Sequence, residues 1–272
     1  MKDLRDKVAV VTGAAMGLGR SLSRMLVDEG CRVVLVDVDA AALDEARKEW
    51  SASAAVLACP CDVSDRQAVY DVAARVRSGV GPASLLINNA GIMRAAPIMD
   101  LDDGTIERMI AVNLTAQFWT AKAFIPQMLE CGEGHVVNIA SAGGLLAIPS
   151  LSAYCASKFG VVGFTDALRQ EAKRYRWPVT VTCVCPNTVN TGMFDGARMA
   201  TGTRMLKVEH VCDRILAGIK KNRSYVGVPH AAVTMLTPLT KALLPTVAMD
   251  QLNRVLGLWS ANDATVGRPK SV

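Results

Sequence analysis

The chain has 272 residues and a mass of 28.9 kDa, and 51% of its residues are hydrophobic, so it can bury a sizeable core and is not expected to be disordered. Its formal net charge of +5 is spread along the sequence, with no basic cluster denser than Lys220, Lys221 and Arg223, which argues against nucleic-acid binding. The longest run without Asp, Glu, Lys or Arg, residues 134–157, is too polar for a transmembrane segment, and the N-terminal residues lack the apolar core of a secretory signal.

Apolar, strand-like runs alternate along the chain with segments of helical spacing. The expected strands are "KVAVVTG", "RVVLVDVD", "AAVLACP", "ASLLINNAG", "HVVNIAS", "VTVTCVCP" and "SYVGVP". Helical spacing is found in residues 17–29, 39–50, 64–77, 105–130, 151–175 and 207–221. This alternation predicts a doubly wound α/β fold, with a parallel sheet of about seven strands and helices on both faces. No repeat or linker divides the sequence, so residues 1–272 are predicted to form a single domain.

The eight cysteines are interpreted as free thiols. The pairs in "CPC" at 59–61 and "CVC" at 183–185 are too close in sequence for a disulfide, and no Cys or His pair has the spacing of a zinc site. We therefore expect a reduced, cytoplasmic protein without a metal site.

The first strand leads through "TGAAMGLGR" into a helix, with glycines at 13, 17 and 19. Such a turn lets the backbone approach a pyrophosphate, and the helix N-terminus favours its charge, although glycines alone also fit a tight turn that needs positive φ. Asp37 closes the second strand, where a carboxylate can accept hydrogen bonds from an adenosine ribose and repel a 2′-phosphate. The alternative role of Asp37, a helix cap, is better suited to Asp39. The pattern favours NAD over NADP.

A tyrosine and a lysine, Tyr154 and Lys158, stand four residues apart in the predicted helix 151–175. They share one face, and an ammonium near a phenol stabilises phenolate, which a tyrosine needs to act as a base. An isolated pair of this kind is more often a helix-edge tyrosine beside a snorkelling lysine. Here, however, Ser141 ends the fifth strand, at the sheet edge where α/β proteins bind ligands.

Taken in order, these motifs resemble those of the short-chain dehydrogenase/reductases, compact NAD(P)-dependent oxidoreductases of Rossmann-like fold. The resemblance covers about residues 6–195 and includes "CDVSD", "NNAG" and "VNL". It implies four catalytic residues, Asn113, Ser141, Tyr154 and Lys158. It also implies cofactor contacts from Gly13, Met16, Gly17, Leu18, Gly19, Asp62, Val63, Asn89, Ala90, Gly91, Tyr154, Lys158, Pro186, Val189 and Thr191.

The resemblance also implies a mechanism. Tyr154 would exchange a proton with the substrate hydroxyl or carbonyl while hydride passes between the substrate carbon and nicotinamide C4. Lys158, together with the oxidised nicotinamide, would lower the tyrosine pKa and also hold the nicotinamide ribose. Ser141 would bind the substrate oxygen. Asn113, in a distorted helix, would hold a water that links Lys158 to solvent; the alternative is a buried amide that satisfies helix backbone.

The sequence departs from the family after the sixth strand, where "CPNTVNTGM" has Asn187 in the position of a glycine. Because asparagine tolerates left-handed backbone angles, we expect the turn to survive. "VNTGM" and the C-terminal residues are similar to the hydroxysteroid, retinol and long-chain alcohol dehydrogenases. Residues 193–206 contain three methionines, Phe194 and Leu206, and we predict that they form a substrate lid over a lipophilic alcohol or ketone, the alternative being ordinary helix packing.

Residues 231–272 are predicted to form a C-terminal extension. Within it, residues 231–259 are apolar and are interrupted by Pro238 and Pro245, so they should fold as short segments. These segments could wall the substrate pocket, contact another subunit or touch a membrane surface, and we expect the pocket wall because "SYVGVP" leads to the active-site edge.

The sequence as a whole predicts an NAD-dependent oxidoreductase acting on a small lipophilic substrate, in a homodimer or homotetramer. Three other functions stay open: an NADP-preferring carbonyl reductase, a non-catalytic NAD(H)-binding regulator, and a methyltransferase that binds S-adenosylmethionine. The complete set of proton-transfer residues argues against the last two.

Overall fold

The computed structural model describes residues 1–50 and 56–265. All seven predicted strands are present. They are β1 (Val8–Thr12), β2 (Arg32–Asp37), β3 (Val56–Pro60), β4 (Leu85–Asn88), β5 (Gly134–Ile139), β6 (Val179–Pro186) and β7 (Tyr225–Val228). They form one parallel sheet in the order β3-β2-β1-β4-β5-β6-β7. The prediction of a doubly wound, Rossmann-like single domain is confirmed.

The core lies on both faces of this sheet, as the continuous apolar runs predicted. In β1, Ala9 and Val11 pack into one layer, and Val8 and Val10 into the other. All five residues of β1 are buried. Because neighbouring side chains of a strand point to opposite faces, a strand covered on both sides is apolar at nearly every position.

The helices cover the two faces. Within the described residues they are α1 (Gly17–Asp28), α2 (Ala40–Trp50), α3 (Arg66–Gly79), α4 (Asp103–Ile110), α5 (Ala116–Glu130), α6 (Ser152–Arg174), α7 (Val208–Lys220), α8 (Thr237–Leu243) and α9 (Thr246–Val255). Helix α1 shows why they form: Leu18, Leu22 and Leu26 recur every four residues and are buried. The carboxylate of Asp65 caps α3 by accepting hydrogen bonds from the backbone N–H groups of Gln67 and Ala68, at 2.8 and 3.2 Å.

The segment 105–130, which the sequence predicted as one helix, is interrupted. A π-helical turn, Ala111–Thr115, separates α4 from α5. Such a wide turn inserts one extra residue into the helix and redirects the side chains within it. It contains Asn113, so the helix distortion that the family resemblance implied is present.

A chain of buried polar side chains crosses the sheet between β4 and β5. The Asn88 amide nitrogen donates to Asn138 Oδ1 at 2.9 Å, and Thr120 Oγ1 donates to Asn88 Oδ1 at 2.8 Å. The Asn138 amide nitrogen donates in turn to Thr165 Oγ1 at 3.0 Å. These four side chains are buried, and each has at least one partner, which is the condition for placing polar groups in a core. They join the middle of the sheet to α5 and α6.

The C-terminal residues form short segments, as predicted, but only one of the two prolines separates them. Pro238 lies at the start of α8, where its missing N–H group is tolerated, and a π-helical run, Ala231–Leu236, continues directly into that helix. Pro245 immediately precedes α9. None of the helices in residues 1–50 and 56–265 is both long and apolar enough to cross a bilayer.

Candidate active site

The glycine turn after β1 forms a cradle that has no room for side chains. A Cβ on Gly13, whose φ is +65°, would lie 2.8 Å from the Cα of Ala90. A Cβ on Gly19 would lie 2.0 Å from the carbonyl oxygen of Gly13. The cradle lies between β1 and β4, where the strand order reverses, and this is the point at which doubly wound sheets bind ligands.

Helix α1 begins at Gly17, directly behind this cradle. Its N-cap residue, Met16, has an extended backbone and makes no side-chain hydrogen bond to the first turn. The first N–H groups of the helix, which belong to Gly17, Leu18 and Gly19, are therefore left without a capping side chain, as in helix N-termini that bind pyrophosphate.

Asp37 lies beside the cradle at the end of β2. Its carboxylate accepts hydrogen bonds from the backbone N–H groups of Ala15 at 3.0 Å and Asp39 at 3.2 Å. Asp39 caps the following helix, because its carboxylate accepts from the N–H of Ala42 at 3.0 Å. The capping role is thus taken by Asp39, while two backbone N–H groups hold the Asp37 carboxylate beside the cradle; its ribose-binding role stays a prediction.

Asp62 and Val63 lie in the turn after β3, and Asp62 has a partner that sequence reasoning missed. Arg108 of α4 forms an ion pair with the Asp62 carboxylate at 2.8 Å and also hydrogen-bonds Ser64. Burial raises the pKa of Asp62, but the hydrogen bonds from Arg108 and Ser64 outweigh burial and hold the pKa below its usual value. Val63 is buried. No local signal links a residue of α4 to this turn.

The "NNAG" motif after β4 forms the opposite wall of the cradle. The side-chain amide of Asn89 donates to the carbonyl oxygens of Thr12 and Gly13, at 2.9 and 3.0 Å. The hydroxyl of Thr12, a residue not singled out in the sequence, accepts from the N–H groups of Asn89 and Ala90, both at 3.0 Å. Asn89 and Thr12 therefore hold the two glycine-rich segments together. A Cβ on Gly91 would lie 3.6 Å from Lys158 Nζ, so Gly91 adjoins the catalytic candidates.

Ser141, Tyr154 and Lys158 come together at the carboxyl end of β5. Ser141 Oγ accepts from the N–H of Gly143 at 3.0 Å and lies close enough to the Tyr154 hydroxyl to lower its pKa. Tyr154 and Lys158 are 5% and 4% exposed, so both are buried. Lys158 Nζ lies 5.8 Å from the centre of the Tyr154 ring and donates to the carbonyl oxygen of Ile139 at 2.9 Å. The three residues predicted from spacing thus share one site.

Burial dominates the protonation of this site. It raises the pKa of Tyr154 to about 12, an effect that the neighbouring Ser141 hydroxyl opposes. The lowering of this pKa by Lys158 together with the oxidised nicotinamide stays a prediction. Burial also lowers the pKa of Lys158 to about 8. The reason is that desolvation disfavours both charged forms, while the ammonium is directed to Ile139 rather than to the phenol.

Asn113 is fully buried, and its side chain bonds to protein groups. Its Oδ1 accepts from the N–H of Ile92 at 2.8 Å, and its amide nitrogen donates to the Ile92 carbonyl at 2.9 Å and to Ser157 Oγ at 3.0 Å. Its backbone carbonyl accepts from the side chain of Gln117 at 3.0 Å. This matches the alternative of a structural amide, except that the backbone it satisfies is that of Ile92, in the loop after β4, and not a helix.

The turn after β6 also differs from the expectation for Asn187. Among the described residues, positive φ in non-glycine residues is confined to Asp6, Ser150, Arg176 and Asn222, so Asn187 is not left-handed. Its side chain instead accepts a hydrogen bond from the N–H of Thr188 at 2.9 Å. Pro186 ends β6, and the N–H of Thr191 donates to the carbonyl of Val189 at 2.8 Å. A side-chain bond, and not unusual backbone angles, therefore replaces the family glycine.

The predicted lid, residues 193–206, contacts the site through one aromatic ring. Phe194 meets the Tyr154 ring edge-on, with 6.0 Å between ring centres. Both belong to an apolar cluster around Tyr154 that also includes Met93, Ile148 and Leu151. The segment contains no helix, so the alternative of helix packing is wrong for these residues.

The C-terminal extension contacts α6 and the loop before it but leaves several apolar side chains exposed. Lys241 lies 4.3 Å from the centre of the Phe159 ring, and its Nζ is 3.4 Å from the carbonyl oxygen of Leu145. Leu243, however, is 71% exposed, and Met235, Leu236 and Leu239 are exposed as well. These side chains do not form a closed pocket wall in the single chain.

Comparison with known proteins gives one consistent family. Residues 7–201 match the family model described as short chain dehydrogenase. The chain is 36% identical to short-chain dehydrogenase/reductase family 16C member 6 of Bos taurus, covering 99% of this chain and 86% of that protein. It is 35% identical to estradiol 17-beta-dehydrogenase 11 of Macaca fascicularis (98% and 88% covered) and 34% identical to epidermal retinol dehydrogenase 2 of Mus musculus (99% and 88%).

Solved structures agree with the sequence matches. A short chain dehydrogenase/reductase from Burkholderia phymatum in complex with NAD superposes with a TM-score of 0.82 at 27% identity, over 92% of this chain and 97% of that one. A metagenomic short-chain oxidoreductase in complex with NADP gives 0.69 at 28% identity, over 82% and 96%. This chain therefore belongs to the short-chain dehydrogenase/reductase family and resembles its hydroxysteroid and retinol dehydrogenase members.

Proposed function

We propose that the protein is an NAD-dependent oxidoreductase that interconverts a lipophilic alcohol and its ketone or aldehyde. The observation that carries this proposal is the cluster of half-buried Ser141 with buried Tyr154 and Lys158, which adjoins a glycine cradle that side chains would fill. A cradle without side chains, an uncapped helix N-terminus and a nearby carboxylate suit the pyrophosphate and ribose of a dinucleotide.

In the oxidative direction, bound NAD supplies the hydride acceptor. Ser141, which lies beside the Tyr154 hydroxyl, would hold the substrate oxygen next to it. Tyr154, as phenolate, takes the hydroxyl proton as the substrate carbon gives up its hydride, and it returns a proton to the carbonyl in the reductive direction. Lys158, which lies close to Gly91, would hold the nicotinamide ribose.

The raised pKa of Tyr154 makes this step depend on added positive charge. With a pKa of about 12 the phenol is protonated near neutrality. A positive charge within a few ångströms favours phenolate, and in a buried site little solvent screens it. We infer that the base forms only in the cofactor complex, where protonated Lys158 and the oxidised nicotinamide act together.

NAD is the proposed cofactor because of Asp37. Its fixed carboxylate suits the two hydroxyls of an adenosine ribose and would repel a 2′-phosphate. The solved relatives include one with NAD and one with NADP, so the family alone does not decide between them.

A lipophilic substrate is proposed because apolar side chains surround Tyr154, among them Met93, Ile148 and Phe194. The relatives named above are an estradiol and a retinol dehydrogenase, which supports secondary or allylic alcohols with a large apolar body. Assembly into a homodimer or homotetramer and a cytoplasmic location stay predictions.

The test is a turnover screen that follows NADH absorbance with steroid, retinoid and medium-to-long-chain alcohols, with NADP in parallel. We expect turnover of at least one apolar class with NAD. Tight NAD binding without turnover of any alcohol or ketone would contradict an enzyme and favour the NAD(H)-binding regulator.

A further inference from the structure

We propose that the end of the C-terminal extension, residues 256–264, fixes the position of the predicted lid and thereby sets the selectivity for large substrates. We call residues 256–264 the C-terminal brace and residues 193–206 the lid segment. The inference rests on the proposed function for its substrate, but the contacts between the two segments stand independently of any activity.

The end of the lid segment, Leu206, is hydrogen-bonded to residues 188–190, which precede the lid and include the predicted nicotinamide contact Val189. Leu206 donates its N–H to the carbonyl of Thr188, and Asn190 donates its N–H to the carbonyl of Leu206, both at 2.9 Å. Val189 and Leu206 are paired as an isolated parallel bridge, and both are buried. This end of the lid segment therefore cannot move freely, and any change of lid position must occur in the residues before it.

The middle of the lid segment is held by the brace through backbone hydrogen bonds. The N–H of Arg198 donates to the carbonyl of Ala261 at 2.7 Å, and the N–H of Thr201 donates to the carbonyl of Leu256 at 2.9 Å. Ala261 and Asn262 are buried, so this part of the brace is anchored in the fold rather than lying loosely on its surface. Two donors at different points fix the orientation of the lid as well as its distance.

Gly196 is the point of closest approach between the two segments. Its φ is +84°, and a Cβ there would lie 2.2 Å from the carbonyl oxygen of Ala264. A glycine is therefore required both by the backbone angle and by the neighbouring carbonyl. The lid can lie this close to the brace only because residue 196 has no side chain.

The position of Gly196 is transmitted to the active site through a short turn. The N–H of Ala197 donates to the carbonyl of Phe194 at 3.0 Å, so Gly196 lies inside a turn that begins at Phe194. Phe194 in turn contacts the Tyr154 ring. Displacing Gly196 from the brace is thus expected to move Phe194 away from the space beside the reacting oxygen. A small substrate would lose little, whereas a large one would lose an apolar wall.

The test compares two glycines of the same segment. Gly202 also has positive φ, +77°, but a Cβ there would meet nothing within 4 Å. Gly196→Ala and Gly202→Ala therefore impose similar backbone strain, and only the first collides with the brace. Hydrogen exchange of the Arg198 and Thr201 amides reports whether the lid segment is bonded to the brace. The ratio of KM for a large apolar alcohol to KM for a short one reports substrate selectivity.

We expect Gly196→Ala to speed exchange at both amides by roughly tenfold or more. It should also raise KM for the large alcohol by roughly tenfold and leave that for the short alcohol within about threefold. Gly202→Ala should behave like wild type in both measurements. Unchanged dissociation constants for NADH and unchanged hydrogen exchange in β5 establish that both variants are folded. If Gly196→Ala does not fold, Thr201→Pro takes its place, because proline removes the Thr201 N–H that donates to Leu256. The exchange rate of the Arg198 amide is then the measurement.

Three results would overturn the inference: wild-type exchange in Gly196→Ala, faster exchange without a change in the KM ratio, or the same changes in Gly202→Ala. The exchange measurement needs no substrate. A wild type that turns over no alcohol therefore contradicts the proposed function, while the exchange result still decides whether the brace holds the lid.

Discussion

The cofactor side of the crevice and helices α8 and α9 are fixed to very different degrees. At Gly13 and Gly19 the nearest atoms are close enough to exclude a side chain, and Thr12 and Asn89 join the surrounding loops. In the C-terminal extension, Leu243 and Val255 are 71% and 77% exposed. The proposed chemistry, which requires one geometry, thus lies at the rigid sheet edge and not in these exposed helices.

We expect the largest functional loss from removing a single oxygen atom, the Tyr154 hydroxyl, which lies in the rigid part of the site. Tyr154→Phe removes the hydroxyl beside Ser141, and we expect kcat to fall about a hundredfold or more. The dissociation constant of NADH should stay within a few-fold of wild type. The measurement is steady-state NADH formation together with cofactor titration.

The matched control is Tyr175→Phe, which removes a hydroxyl from a residue that is 58% exposed and stacked on Trp177. It should leave kcat unchanged. If Tyr154→Phe keeps most of its activity, Tyr154 is not the proton-transfer group.

A second variant tests how tightly the glycine cradle is packed. Gly19→Ala places a Cβ 2.0 Å from the Gly13 carbonyl oxygen and 2.5 Å from the Asn89 side chain. We expect the free energy of unfolding to fall by about 1–3 kcal/mol and NADH binding to weaken strongly, as urea denaturation and titration would report.

Gly163→Ala is the control for this variant, since Gly163 is an exposed glycine inside α6 with nothing within 4 Å of its Cβ position. It should stabilise the protein by about 0.5–1 kcal/mol. Equal effects of the two substitutions would mean that the cradle is not tightly packed.

The third prediction concerns cofactor choice on the same side. Asp37→Ala with Val38→Arg, a position that is 59% exposed, should raise the ratio of kcat/KM for NADP to that for NAD by at least about tenfold. Asp37→Asn keeps an acceptor oxygen for Ala15 and removes the charge, so it separates repulsion from support of the turn. Equal use of both cofactors by wild type would remove Asp37 from its proposed role.

The smallest effect is expected in the C-terminal extension. Leu243→Gln with Leu244→Gln should change the free energy of unfolding by less than about 0.5 kcal/mol, because exposed side chains contribute little. The same change at Leu85, buried in β4, should cost several kcal/mol. Urea denaturation measures the free energy of unfolding, and light scattering measures the size of the assembly. A large loss of stability, together with a smaller assembly than that of wild type, would show that another subunit covers these leucines.

The parts of the molecule that the sequence predicted are those determined by local pattern. Continuous apolar runs predicted the seven strands, and glycine and tyrosine–lysine spacing located the cradle and the candidate catalytic cluster. The pKa of Tyr154 was not predictable, because it depends on burial and on the direction of the Lys158 side chain.

Contacts between segments that are distant in sequence could not be predicted either. The ion pair of Arg108 with Asp62 and the partners of Asn113 depend on how helices pack, and the brace holds the lid through backbone groups that every residue possesses. Gly196 carried the only trace of that contact, and one glycine in a loop is not a specific signal.

The polar chain between β4 and β5 has a consequence for how the strands find their alignment. Asn88 and Asn138 are paired directly across the two strands. Sliding β4 by a single residue would turn Asn88 to the opposite face and away from Thr120 and Asn138. The same shift of β5 would turn Asn138 away from Thr165 and Asn88. Valines and leucines would tolerate that shift, since one apolar residue replaces another, whereas unsatisfied amides would not. Four polar residues at the centre of the sheet thus select a single register during folding.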